Sequence, residues 1–134
     1  METNENYIRI ENLEVYQLSR ELSRIAWEIF DQLSFEDKKN MGNQFLSATD
    51  SVGANIVEGY HRYHFLDKIK FYYYSRASLM ESQIHWLSLL FERERIKKGT
   101  FDRSHDLSSR LEVKLNNFIS ATYKQIKKSK DESK

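Results

Sequence analysis

The chain predicts an all-α protein, an antiparallel up-down-up-down four-helix bundle, and three observations carry that reading. Four segments repeat their apolar residues at the 3.6-residue spacing of a helix. Proline is absent and glycine occurs only four times in 134 residues, so few positions can interrupt a helix. The connections between the periodic segments are short, which favours antiparallel neighbours.

The first helix is expected from about Asn12, as N-cap, to Leu33, with Val15, Leu18, Leu22, Ile25, Ala26, Ile29, Phe30 and Leu33 on one stripe. Tyr16 and Trp27 fall on the opposite side. Ser34-Phe-Glu-Asp-Lys-Lys-Asn40 reads as a polar connection before the second helix, with Ser34 and Asp37 spaced as a cap and its acidic partner. That helix carries Met41, Phe45, Ala48, Val52, Ile56 and Gly59 on its apolar face. Gly53 in mid-helix costs about 1 kcal/mol relative to alanine, which suggests close packing there. Gly59 is expected to end the helix as its C′ residue.

The third helix, from about Phe65 to Glu94, is apolar around more than half its circumference. Phe65, Leu66, Ile69, Tyr72, Tyr73, Leu79, Met80, Ile84, Trp86, Leu87, Leu90 and Phe91 form the wide face, while Phe71, Tyr74 and Leu89 lie on the remaining side. Coverage that wide implies burial on two sides. Arg76 and Gln83 project into the middle of the apolar face, where each needs a partner. Gly99 reads as the stop before a fourth helix capped by Thr100. Its stripe is Phe101, Leu107, Leu111, Leu115, Phe118, Ile119, Thr122 and Ile126, followed by a charged tail. The whole of 1–134 reads as one domain, with flexible ends at about 1–10 and 128–134.

Composition excludes several classes of function. Cysteine is absent, which removes a disulfide framework, a thiolate metal site and a cysteine nucleophile, and fits a cytoplasmic location. No leader-like or membrane-spanning apolar run is visible. A net charge of +1 gives no global attraction for nucleic acid, so any such role rests on local patches. No phosphate-cradling glycine loop or nucleophile elbow is present, and neither a catalytic residue nor a cofactor is expected. Glu58, His61 and His64 recur at intervals of three around a helix end, yet no further ligand completes a metal site, so none is assigned.

The densest feature is Ser51-Val-Gly-Ala-Asn-Ile-Val-Glu-Gly-Tyr-His-Arg62, followed by Ser75-Arg-Ala-Ser-Leu-Met-Glu81. Small and polar residues interrupt otherwise strong helix patterns, which reads as a packing or assembly point. Asn55, Glu58 and Arg76 are expected to form a buried hydrogen-bonded cluster, with Glu81 as a further partner for Arg76. Tyr16, Trp27, Phe71, Tyr74 and Leu89 are the candidate oligomer interface. In an antiparallel bundle, Arg9, His61, Arg62, His64, Lys68, Lys70, Lys124, Lys127, Lys128 and Lys130 gather at one end. Tyr60, Tyr63 and Phe65 interleave them, as stacking platforms do in some single-strand binders. Arg62, Lys68, Lys70, Lys124, Lys127 and Lys128 are the candidate nucleic-acid contacts.

The two stretches resemble a small family known as four-helix-bundle proteins, or 23S rRNA intervening-sequence proteins. Its helix-two motif has the form Ser-hydrophobic-Pro-Ala-Asn-Ile-x-Glu-Gly-x-x-Arg, matched here by Ser51, Val52, Ala54, Asn55, Ile56, Glu58, Gly59 and Arg62. Its helix-three motif, Phe-x-x-x-Ala-Arg-Gly-Ser-x-x-Glu, is matched by Phe71, Arg76, Ser78 and Glu81. Leu13-Glu-Val-Tyr16 resembles the family's opening segment. Gly53, Ser75 and Ala77 depart from the usual proline, alanine and glycine, and Leu46 and Ser47 stand where arginine is frequent.

The resemblance implies a homopentameric ring without enzymatic activity. Some relatives are encoded within insertions in ribosomal RNA genes, and another is the nucleic-acid-binding accessory protein of diversity-generating retroelements. Three functions stay open: a homo-oligomeric module presenting an end to RNA, DNA or a protein, a protein scaffold without nucleic acid, and a metal-binding bundle.

Overall fold

The computed structural model describes residues 7–132, with side chains described as far as residue 130. After a 3-10 turn at Ile10–Asn12, four long helices follow: α1 (Glu14–Gln32), α2 (35–60), α3 (65–92) and α4 (Lys98–Glu132). Helix α2 packs between α1 and α3, and α4 closes the square against α1 and α3. Chain neighbours are spatial neighbours, as short connections require.

The core is built by the stripes read from the sequence. Leu18, Leu22, Ile25 and Ile29 of α1 meet Phe45, Val52 and Ile56 of α2, with Leu79, Leu87, Leu90, Leu111 and Leu115 from the other pair. Asn12 lies inside the 3-10 turn, so Leu13 takes the N-cap position and is buried. Ser34 caps α2 as expected, its Oγ accepting from the Asp37 N–H at 3.1 Å.

Two helix boundaries differ from the sequence reading. Gly59 does not terminate α2, which continues through Tyr60. A Cβ at Gly59 would sit 2.9 Å from the Lys68 carbonyl oxygen and 2.8 Å from the Tyr72 ring. The glycine is needed because α3 crosses there, with no left-handed turn involved. Gly99 likewise does not stop anything; it lies in the first turn of α4 with open space around it. The turn before α4 is made by Glu94, at φ 59°.

Helix α3 contains a π-helical segment, Glu81–Leu87, and α2 begins with another, Lys38–Gly42. The wider turn shifts the phase of the helix. Ser82 and Gln83 therefore both face the core, while Ile84, which a 3.6-residue wheel places inside, is 68% exposed. Leu66, the second residue of α3, is 69% exposed as well.

The ends carry more order than the sequence reading assigns them. Helix α4 is continuous to Glu132. Tyr7 stacks on Tyr60, whose hydroxyl donates to the Ile8 carbonyl. Residues 1–6 and 133–134 lie outside the described residues.

Candidate functional site

Small residues of α2 bring α1 close. A Cβ on Gly53 would meet Ser19 Oγ at 2.9 Å, so the expected close packing occurs there. Outside this contact a groove of about 540 Å³ opens between the two helices, lined by Tyr16, Trp27, Gly53, Ala54 and Val57, with Arg20, Arg24, Glu28 and Asp50 along its rim. Arg20 donates to the Tyr16 hydroxyl at 2.7 Å. Trp27 stands 56% exposed, stacked on Phe30. Two of the candidate interface residues, Tyr16 and Trp27, thus share one groove. Tyr74 is exposed on α3 and meets half-buried Phe71 edge to face. Leu89 is half-buried and packs against the core.

The motif residues do not form the expected buried cluster. Asn55 Nδ2 donates to the Ser51 carbonyl at 2.9 Å, Glu58 pairs with Arg62, and Glu81 accepts from Trp86 Nε1 at 3.1 Å. Asn55 and Ser78 are half-buried, Glu58 and Glu81 exposed, and only Gly59 of the group is buried. Arg76 turns the other way, to α4, donating to Asn116 Oδ1 at 2.9 Å with its guanidinium 4.7 Å from the Tyr73 ring centroid. The reason is rotational: Arg76 lies on the α4 flank of its helix, whereas Glu58 and Asn55 sit beyond the α2 flank.

The buried polar work falls to residues without a motif. Thr49 Oγ1 donates to the Phe45 carbonyl at 2.8 Å and lies 2.6 Å from Ser82 Oγ. Gln83 Nε2 donates to Ser82 Oγ at 3.0 Å, and Ser104 Oγ donates to Gln83 Oε1 at 3.0 Å. Thr49 has one hydroxyl proton, which goes to Phe45, so Ser82 is the donor in the pair. The chain crosses from α2 through α3 to α4. Ser75 Oγ adds a bond to the Val52 carbonyl at 2.7 Å. Among the described residues no buried side-chain polar atom is left without a partner. Only Gln83 was visible in the sequence as a polar residue needing one.

The start of α3 meets the end of α4: His64, Phe65, Leu66 and Asp67 share a groove with Ile126, Ser129 and Lys130. Two of the candidate contacts are drawn into the fold. Lys68 Nζ donates to the Tyr60 carbonyl and lies over the Tyr60 ring, and its burial lowers its pKa. Arg62 is held by Glu58 and lies 4.7 Å from the Phe71 ring centroid. Lys70 sits 5.9 Å from the Tyr74 ring centroid, and Lys124, Lys127 and Lys128 are exposed on α4. Arg9 pairs with Glu11 at 2.7 Å. Tyr73, read from the sequence as part of the wide apolar face, is 37% exposed, and its hydroxyl lies 3.5 Å from that of Tyr123, which the sequence reading did not single out.

No helix among the described residues is long and apolar enough to cross a membrane, and none of their His, Asp and Glu side chains group as a metal site. Fold and surfaces define a four-helix bundle with grooves between its helices. The chain belongs to the 23S rRNA-intervening sequence protein family, which it matches over residues 11–117. It is also similar to a crystal structure from Bacteroides thetaiotaomicron VPI-5482, of a protein with unknown function from the S23 ribosomal protein family. The two share 25% identity at a TM-score of 0.73, over 79% of this chain and 95% of that one. No curated protein matches the chain.

Proposed function

We propose that this chain is a non-catalytic assembly module that self-associates into a closed ring, most simply a homopentamer, and offers its basic bundle end to RNA or DNA. The observation that carries the reading is the α1–α2 groove: Trp27 and Tyr16 wall it and Gly53, Ala54 and Val57 leave it shallow. Small floor residues allow another backbone to come close, and an exposed tryptophan beside them is an interface anchor. Helix α3 supplies other apolar surface, with Leu66, Tyr74 and Ile84 exposed. A groove on one side and apolar surface on another suit a head-to-tail contact, which closes into a ring when the rotation permits. The pentamer implied by the family resemblance is one such ring.

Ala54→Arg tests the reading. Ala54 is exposed, so the substitution leaves the core intact while filling the groove. Size exclusion with light scattering should then show the oligomer broken to a smaller species of unchanged helicity. An unchanged oligomer would remove the groove from the interface.

A second reading, a protein scaffold without nucleic acid, is favoured by Lys68 and Arg62 being engaged within the fold. The absence of any binding to nucleic acid at about 50 mM salt, where phosphate contacts are strong, would select it.

A further inference from the structure

The cations that remain outward do not simply crown the end; they flank a pair of tyrosines along the α3–α4 seam. Tyr73 and Tyr123 are 37% and 45% exposed and touch through their hydroxyls. The antiparallel pairing of Arg76 with Asn116 and of Leu66 with Ile126 sets the two ends of the strip. At about 1.5 Å per residue, Leu66 and Arg76 are about 15 Å apart along α3, room for about four bases at the ~3.4 Å rise of a stacked strand. Lys70 lies one turn before Tyr73, and Lys127 one turn beyond Tyr123 on the same helix face, with Lys124 beside it. Between Leu66 and Arg76 on α3 and between Asn116 and Lys127 on α4, the chain carries Lys68, Lys70, Arg76, Lys124 and Lys127 against one acid, Asp67. In a chain of net charge +1 this is a local concentration of positive charge.

We infer that the Tyr73–Tyr123 seam is a binding strip for a single-stranded nucleic acid, with bases stacked on the tyrosines and phosphates held by Lys70, Lys124 and Lys127. The two chemistries are complementary. A polyanionic strand satisfies the clustered cations, and only unpaired bases present faces to a partly exposed ring. A duplex hides those faces, and an acidic protein segment offers the charge without the stacking. Arg76 already stacks its guanidinium on Tyr73, 4.7 Å from the ring centroid. The inference deepens the nucleic-acid half of the proposed function and rests on it.

The test uses the full chain and fluorescence anisotropy with labelled oligothymidylate, labelled oligouridylate, a mixed-sequence duplex of equal length and polyglutamate. Single strands should bind at least about tenfold tighter than duplex, since stacking adds about 1–3 kcal/mol per base. Preference for the ribose or the deoxyribose strand names the natural source and supports the strip in either case. Tyr73→Leu with Tyr123→Leu should weaken single-strand binding about tenfold or more while leaving its salt dependence in place. Lys124→Glu with Lys127→Glu should instead flatten the salt slope by about 1.4, at about 0.7 per lost phosphate contact. Circular dichroism and oligomer mass should be unchanged in both, because all four side chains are exposed. Equal binding of duplex and single strand, or indifference to the tyrosine pair, overturns the strip while leaving a phosphate-binding end. Polyglutamate binding as tightly as the strands also overturns it. No binding of any strand at about 50 mM salt overturns both this inference and the nucleic-acid half of the proposed function, with the assembly reading judged separately by mass.

Discussion

The hydroxyls of Thr49 and Ser82 lie 2.6 Å apart at the centre of the bundle, both fully buried, and they begin a polar chain that runs through Gln83 to Ser104. A chain of this kind fixes the rotation of three helices against one another, since each hydrogen bond is lost if one helix turns. It also matches the π-helical turn of α3, which is what brings adjacent Ser82 and Gln83 to the same side. Gln83→Leu strands Ser104 and leaves Ser82 without its donor, so stability should fall by about 1–3 kcal/mol. Urea unfolding followed by circular dichroism reads this directly. Thr49→Val combined with Ser82→Ala should lose less than the two single changes summed, because paired removal leaves fewer orphaned groups.

The crossing of α2 and α3 at Gly59 gives a second expectation. Alanine there meets backbone and ring atoms at 2.8–2.9 Å, and the helices must separate. Gly59→Ala should destabilise by about 1–3 kcal/mol. Gly99→Ala, with nothing within 4 Å of the added carbon, should be neutral or stabilising by up to about 1 kcal/mol. Thermal melts of the pair under the same conditions separate crossing from turn.

Arg76 was expected to be a buried charge whose loss would break the fold. Its position at the α4 flank, half-exposed over Tyr73, reduces that role. Arg76→Ala should lower stability by about 1 kcal/mol, the scale of a partly exposed cation–π contact and one side-chain hydrogen bond. A loss of several kcal/mol in chemical denaturation would restore the buried-cluster view.

Alkaline pH should loosen the bundle. Burial raises the Tyr72 phenol well above its ordinary 10.0, with the neighbouring Tyr60 adding to the shift. The folded state therefore holds the protonated phenol more tightly than the unfolded chain does. That stability is fully present below the unfolded value and is lost as pH rises through and beyond it. Tyr60 and Tyr123 shift in the same direction, while Lys68, lowered by burial, works against them. The melting temperature should hold to about pH 9 and fall above about pH 10, and Tyr72→Phe should flatten that fall.

Most of the fold was legible because the core stripes of α1, of α2 from Asn43 onward and of α4 follow a 3.6-residue period. Phe45, Val52, Ile56, Leu111 and Leu115 land where periodicity puts them. The failures share a cause, namely information that a helical wheel lacks. Ile84 is misplaced because a π-helical turn changes the angle per residue partway along α3. Gly59 carries the same letter whether it ends a helix or admits a crossing one. The polar chain escaped notice because serine and threonine hide easily in helices by bonding to the carbonyl four residues back, as Thr49 does. The motif residues were read as a buried cluster because spacing gives a face but not which neighbour covers it. Asn55 and Ser78 are only half-buried and Glu58 and Glu81 are exposed.

The central claim, that this chain works as an assembled ring, is most directly tested by the native mass of the unmodified protein at micromolar concentration. Native mass spectrometry should return a single dominant species of several chains, five in the simplest case, that persists on dilution within that range. A dominant single-chain mass under the same conditions would contradict it.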